Sequence, residues 1–398
     1  MYRFANLNTQ SMIKKRFLIF LVLFVLAIKP ISSQDIKVGI LTNHNIKSFI
    51  FSTDAGRYQI TGDSAHTIAI KKKSVINFSV NDTSITVKDL NNFIGNFKYI
   101  EIKGLAKENI FEIQSIKPKL KAKTYEDGLI LFPDNGFIRI INKVDLEHYI
   151  AGVVESEAGS RSSLEYYKTQ AIITRTYALK NFHRHEDYGY NLCSEVHCQA
   201  YHNRAHISDK IIKAVKFTRG LIIVDTTLNL ITATFHSNSG GQTCSSEMVW
   251  LTPKSYLKTV TDTFSLSKSN STWEKTIPLW KWKTYLKQNG FTIPTTVKSS
   301  DYAYNQPNRK MFYTFNGDSM LLKSIRADFK LRSTFFSTKL EGNNLILSGK
   351  GYGHGVGLSQ QGAMEMAETG YNYRKIIKFY YKNVFIVSLR ALEFFKDE

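Results

Sequence analysis

Between Asp35 and about Val154 the apolar positions recur mostly with a period of two in short runs, the pattern of half-buried strands. It predicts strands over residues 36–41, 67–70, 85–87, 99–102, 129–132 and 137–142. Turn chemistry separates them at Thr61-Gly62-Asp63, Val80-Asn81-Asp82 and Asp134-Asn135-Gly136. The run Tyr149 to Val154 is apolar throughout and reads as a buried strand, with residues 155–159 as the loop after it. The period then changes. Leu164, Tyr167, Ala171, Ala178 and Phe182 recur at helical spacing, so residues 163–182 read as an amphipathic helix. Further on, strands are expected at 230–235, 345–348 and 384–389, and helices at 280–288, 359–368 and 373–381. Strands and helices mixed without regular alternation predict an α+β fold. The boundaries follow: a leader over 1–34, a β-rich N-terminal region over 35–142, and a mixed core over 143–398. A smaller α/β segment is inserted in that core around 255–325.

The leader changes what the charge means. Lys14, Lys15 and Arg16 precede an unbroken apolar run over residues 17–28, and Ile31-Ser32-Ser33-Gln34 supplies small residues for cleavage. That order is a secretory signal, with an uncleaved anchor as the rival, and the run is too short for an ordinary span. Met12 is an alternative start. No later segment has 18 consecutive apolar residues, so no transmembrane helix is expected in the mature chain. The net charge of +20 calls for an acidic partner. An exported protein, in the periplasm or cell envelope, meets acidic polysaccharide or membrane more readily than nucleic acid. The aromatic–basic interleaving of a nucleic-acid groove is also missing.

Several residues stand out for their chemistry. Arg175 falls on the apolar stripe of the predicted helix, where a buried guanidinium needs a carboxylate or carbonyl partner unless it snorkels at the edge. Glu155 and Glu157 sit at a corner between elements, placed for acid/base work or as solvated charges. Gly351, Gly353, Gly355 and Gly357 alternate with Tyr352, His354 and Val356; in an extended segment this leaves one bare face for a sugar or a neighbouring strand. Ser359 reads as the N-cap of the helix that follows. Of the three cysteines, Cys193 and Cys198 flank His197 in one short stretch. Thiolate and imidazole donors suit zinc, and a local disulfide is the alternative. His183, His185, His202, His206 and His236 are further candidate ligands or plain surface residues.

The strings Leu146-Glu147-His148-Tyr149-Ile150-Ala151-Gly152-Val153-Val154-Glu155-Ser156-Glu157, Lys168-Thr169-Gln170-Ala171 and Thr174-Arg175-Thr176-Tyr177-Ala178-Leu179 resemble the signature of the stage II sporulation protein D (SpoIID/LytB) family. Three later blocks agree: residues 235–241 with Trp250, Arg326 with residues 331–334, and residues 351–363. The resemblance runs over roughly residues 36 to 390. It implies a lytic transglycosylase acting on peptidoglycan glycan strands stripped of stem peptides, with Glu157 as the catalytic acid/base and Arg175 near the active site. It also implies substrate contacts from Tyr177, His236, Ser237, Ser239, Tyr352, His354 and Gln360, and a zinc on Cys193, His197 and Cys198. The LytB branch implies another role, a non-catalytic wall-binding protein that stimulates a cell-wall amidase. The chain departs from the family at Glu155, where proline is usual, and at Ala158, where methionine is usual. A second carboxylate two residues from Glu157 would raise its pKa or retune the site.

Overall fold

The computed structural model describes residues 34–63, 67–70, 74–89, 92–294 and 298–392; the expected leader, but for Gln34, lies outside them. The fold is α+β. Alternating runs in the N-terminal third form two sheets. One has seven strands in the spatial order 192–193, 35–40, 137–145, 128–134, 100–104, 58–62, 67–70. The other has six, in the order 123–126, 110–117, 48–55, 75–81, 84–89, 92–97. Their inner faces meet through aromatic rings. Phe51 of the second sheet lies edge-on to Tyr58 of the first at 5.4 Å, and stacks at 5.1 Å on Phe111 of its own sheet. Contacts of this geometry add stabilisation beyond the area they bury.

The strand expected over 149–154 and the loop after it are instead helix. Helix α1 spans Leu146–Ala158 and helix α2 spans Leu164–Lys180. A short apolar run buried on all sides carries no period that separates strand from helix. The decision is made upstream by Asp145, whose carboxylate accepts the N–H groups of Glu147 at 2.7 Å and His148 at 3.3 Å. Gly159, at φ +65°, ends α1 by donating its N–H back to Glu155. Helix α2 is capped by Ser163, which accepts from Tyr166 N. It is buried over almost its whole circumference rather than amphipathic.

Helix α1 is pinned to the sheets by a chain of rings, Tyr125–Tyr201–Tyr149, with centroids 5.7 and 5.1 Å apart. Gly152 makes this possible, because a Cβ there would sit 2.4 Å from the Tyr201 ring and 2.6 Å from the Asn203 carbonyl.

Strand character expected over 230–235 is reduced to a single bridge at Leu230 and the two-residue strand Phe235–His236. Farther along, a second apolar core is assembled from Ile277, Trp282, Leu286, Tyr313, Ile325 and Leu347, among others. It is enclosed by a three-stranded antiparallel sheet (Thr272–Pro278, Asn344–Lys350, Phe336–Glu341) and the helix Leu279–Gln288. Ser359 caps the helix Gln360–Glu368 by accepting from Gly362 N. Among the described residues no helix is long and apolar enough to cross a membrane.

Candidate active site and metal-binding loop

Glu157 occupies the last turn of α1 and is half-buried. Its Oε1 accepts the backbone N–H of Ala200 at 2.9 Å. Burial raises its pKa above the ordinary carboxylate value, and the Ala200 N–H opposes that rise in part. Glu155 takes no part in the shift. Its carboxylate is turned to the segment after Ala205, accepting from Ile207 N at 2.8 Å and His206 N at 3.2 Å. The expectation that a second carboxylate tunes Glu157 is thus corrected: two residues of helix, about 200° of rotation, put Glu155 and Glu157 on different neighbours.

The loop that holds Glu157 also holds the cysteines. Leu192–Cys193 adds a short parallel strand to the edge of the seven-stranded sheet, pairing Gly39 with Cys193. The chain then turns through His197 and Cys198 to reach Ala200. His185 Nε2 lies 3.3 Å from Cys198 Sγ, and His197 Nδ1 lies 3.8 Å from both sulfurs. The donor atoms of His185, Cys193, His197 and Cys198 all fall within 4.8 Å of one another, so the four side chains can hold one metal ion. Tetrahedral ligands at about 2.0–2.3 Å from a centre stand about 3.3–3.8 Å apart, and the His185–Cys198, His197–Cys193 and His197–Cys198 distances fall in that range. The cysteines are free thiols, not a disulfide. A hydrogen bond from Cys198 holds the Cys193 thiol far down, near 4, and the same bond pushes Cys198 up. Sequence reading named three of these ligands; His185 was only one of five spare histidines, because eight residues of separation from Cys193 carry no spacing signal.

Arg175 does not reach Glu157. Its fully buried guanidinium makes a two-pronged ion pair with Glu147, at 2.9 and 2.5 Å, and donates to the Leu221 carbonyl at 3.0 Å. Glu147 is ten residues before Glu157 on α1, about 15 Å along the axis at 1.5 Å per residue. The partner demanded by its place on the helix stripe exists, and it ties α1 to α2. Tyr177 lies beside the cysteine loop, its hydroxyl accepting from Arg184 at 2.9 Å.

The glycine loop closes the other side. It is bent rather than extended, with positive φ at all four alternating glycines and single bridges from Tyr352 to Asn238 and from Val356 to Cys244. Its close approach is to a neighbouring segment: a Cβ on Gly357 would meet the Thr234 carbonyl at 2.2 Å. His354 is half-buried and neutral, its pKa lowered to about 4 by burial and by nearby Arg326. Its Nδ1 accepts from Val356 N at 3.0 Å, which leaves Nε2 facing Thr234 Oγ1 at 3.3 Å. His236 is buried and held neutral, with Nδ1 on the Val356 carbonyl at 3.2 Å. Ser239 is fully buried and donates to Asp262 at 2.7 Å, so it braces the loop. Ser237 is half-buried and accepts from Asn270 at 3.2 Å. Tyr352 is exposed, its backbone paired with Asn238. Gln360 links this loop to α1, donating to the Glu157 carbonyl at 3.4 Å. The structure therefore brings Gln360, Glu157 and the cysteine loop together, and buries Arg175 and Ser239 away from solvent.

Residues 134–224 match the family model described as stage II sporulation protein, SpoIID. The chain carries a SpoIID domain. That segment contains Glu157, Arg175 and all four candidate metal ligands, and brings with it the cell-wall association of its family. An uncharacterized protein of Brachyspira hyodysenteriae is 28% identical over 319 residues, covering 77% of this chain and 83% of that protein. Stage II sporulation protein D of Bacillus subtilis is 28% identical over 264 residues, covering 61% of this chain and 74% of the relative. A Bacillus subtilis protein named amidase enhancer is 26% identical over 294 residues, covering 60% of this chain but 40% of its own length.

Proposed function

We propose that this chain is an exported peptidoglycan lytic transglycosylase in which Glu157 is the single acid/base. The observation that carries the reading is the state of that carboxyl: lifted by burial, touched by one neutral backbone donor, and without an ion-pair partner among the described residues. Such a group keeps its proton longer than an exposed glutamate and can deliver it. In the reaction, the Glu157 proton passes to the glycosidic oxygen that leaves as the 4-hydroxyl of N-acetylglucosamine. The resulting carboxylate takes the proton of the N-acetylmuramic 6-hydroxyl as that oxygen bonds to C1. The C1–O4 bond breaks, the C1–O6 bond forms, no water is consumed and Glu157 ends protonated. One carboxylate suffices because the nucleophile is internal, unlike the carboxylate pair of hydrolytic glycosidases.

Zinc fits the donor set of His185, Cys193, His197 and Cys198, two thiols and two imidazoles whose donor atoms lie within 4.8 Å of one another. When bound it supplies a four-point cross-link of the loop. The protein's own contribution follows from geometry: the loop presents Ala200 N–H to Glu157 and so fixes which way the carboxyl points.

Mass spectrometry of products from purified, peptide-free glycan strands tests the reading. Expected are fragments with 1,6-anhydro-muramic ends, absent with Glu157→Gln. Hydrated reducing ends, or undiminished cleavage by Glu157→Gln, contradict it. The similarity to an amidase enhancer favours a second reading, a non-catalytic partner of a cell-wall amidase. In that case no fragments form, and Glu157→Gln stimulates an added amidase as well as the unaltered protein does.

A further inference from the structure

The small core carries a groove that the Glu157 chemistry does not use. Along one flank of the helix Leu279–Gln288 runs a cleft of about 560 Å³, lined by Lys275, Trp280, Lys281, Tyr285, Phe329 and Lys330. A smaller cleft of about 220 Å³ continues it, sharing Lys275 and Lys330 and adding Trp273 and Arg332. The two are one track. At its far end the Arg332 guanidinium stands 5.7 Å from the ring centroid of Tyr352, on the glycine loop whose other end reaches Glu157 through Gln360.

The side chains in this track are arranged for binding rather than for folding. Trp280 is 70% exposed, while Trp282 two residues on is fully buried in the core. An indole this exposed gains little from folding and offers a flat apolar face. The floor beneath it is fixed: Tyr285 lies edge-on to Phe329 at 4.8 Å and its hydroxyl donates to Asp328 at 2.7 Å. Lys275 is already engaged, donating to the Phe329 carbonyl at 2.5 Å. Lys281, Lys330 and Arg332 are exposed along the rim and with Lys275 outnumber the two carboxylates there, Asp328 and Glu274. A stacking platform followed by cations at intervals suits a linear polymer with apolar ring faces and regularly spaced carboxylates.

We propose that this groove binds anionic glycan, holding a carboxylate-bearing strand that extends from the Glu157 site. The inference rests on the glycan reading above, and adds a second contact region to it. Its use is to convert strand length into affinity, since a distant contact on the same polymer acts at high effective concentration.

The test uses the full chain with Trp280→Ala and, separately, Lys281→Glu, both at exposed positions, with folding checked by circular dichroism. Co-sedimentation and tryptophan fluorescence measure binding to long peptide-free glycan strands, to the same strands with carboxyls reduced, and to single-stranded DNA of matched length. Cleavage is followed in parallel on long strands and on short oligosaccharides. Each variant is expected to weaken long-strand binding roughly tenfold, about 1.4 kcal/mol, while short oligosaccharides are cleaved at the unaltered rate. Carboxyl reduction should weaken the unaltered protein similarly. Strands cleaved normally but bound equally by both variants overturn the groove and leave the transglycosylase reading standing. Trp280-dependent binding without anhydro products supports the groove and removes that reading. Equal binding of DNA with the same losses overturns the assignment to glycan.

Discussion

The Glu157 carboxylate and the Ala200 N–H are 2.9 Å apart, and Ala200 follows Cys198 by two residues. The proposed acid and the cysteine–histidine loop are therefore one mechanical unit. Stripping metal with a chelator, or Cys193→Ala, should lower glycan cleavage by about tenfold or more, the usual cost of losing support around a working group. Elemental analysis should find close to one zinc per chain before treatment. Unchanged cleavage by metal-free protein would separate the loop from the chemistry.

The pH dependence follows from the direction of the Glu157 shift. Donation needs the protonated carboxyl, so the rate is lost as pH rises through its folded pKa. Burial moves that pKa above the roughly 4.3 of an exposed glutamate. The alkaline fall in kcat should lie correspondingly higher. Replacing Ala200 by proline removes the opposing N–H and should move the fall higher still; a fall at unchanged pH would exclude Ala200 as a tuning contact.

Arg175 and Glu147 form a buried pair, and removing one partner strands the other. Arg175→Met should destabilise the fold by about 3–5 kcal/mol in denaturant titration, whereas the double change with Glu147→Leu should recover much of that loss. Arg175→Lys keeps the charge but not the fork, and should fall between them. If stability is intact and only activity is lost in Arg175→Met, its role is at the substrate after all.

Glu155 anchors residues 206–207, whereas Glu157 accepts from Ala200. Glu155→Gln should cost about 1–2 kcal/mol of stability and leave the pH profile of cleavage in place. A displaced profile would restore the two-carboxylate idea.

His148 offers a check on the sheet–helix junction. Its hydrogen bond to Asp127, at 2.9 Å, raises its pKa to about 9. A histidine raised above its unfolded value, about 6.5, contributes stability that is fully present below that pH and lost as pH climbs to 9. The melting temperature should decline across that window and stay flatter in His148→Gln. The effect is modest because the side chain is 44% exposed.

What the sequence makes legible follows from where its signals are local. The strands at 129–132 and 137–142 carry their period, and the helices begun by Ser163 and Ser359 their caps, within a few residues. Helix α1 misled because its apolar run has no polar face, and Asp145 was the only local mark of its start. Arg175 announced that it needed a partner, but Glu147 lies on another helix and no spacing rule links them. His185 joined the cysteines through tertiary folding alone. The groove beside Trp280 left no trace, since an exposed tryptophan and a buried one two residues apart look alike in sequence.

The parallel pairing of Gly39 with Cys193 has a consequence for how the protein is made. The cysteine loop is laid against the first described strand, and Asn191 caps it by accepting from Lys37, a contact spanning 154 residues. Closure over so long a separation comes late in folding. The four candidate ligands, by contrast, all lie within residues 185–198, so a metal can gather the loop locally before that pairing seats it on the sheet.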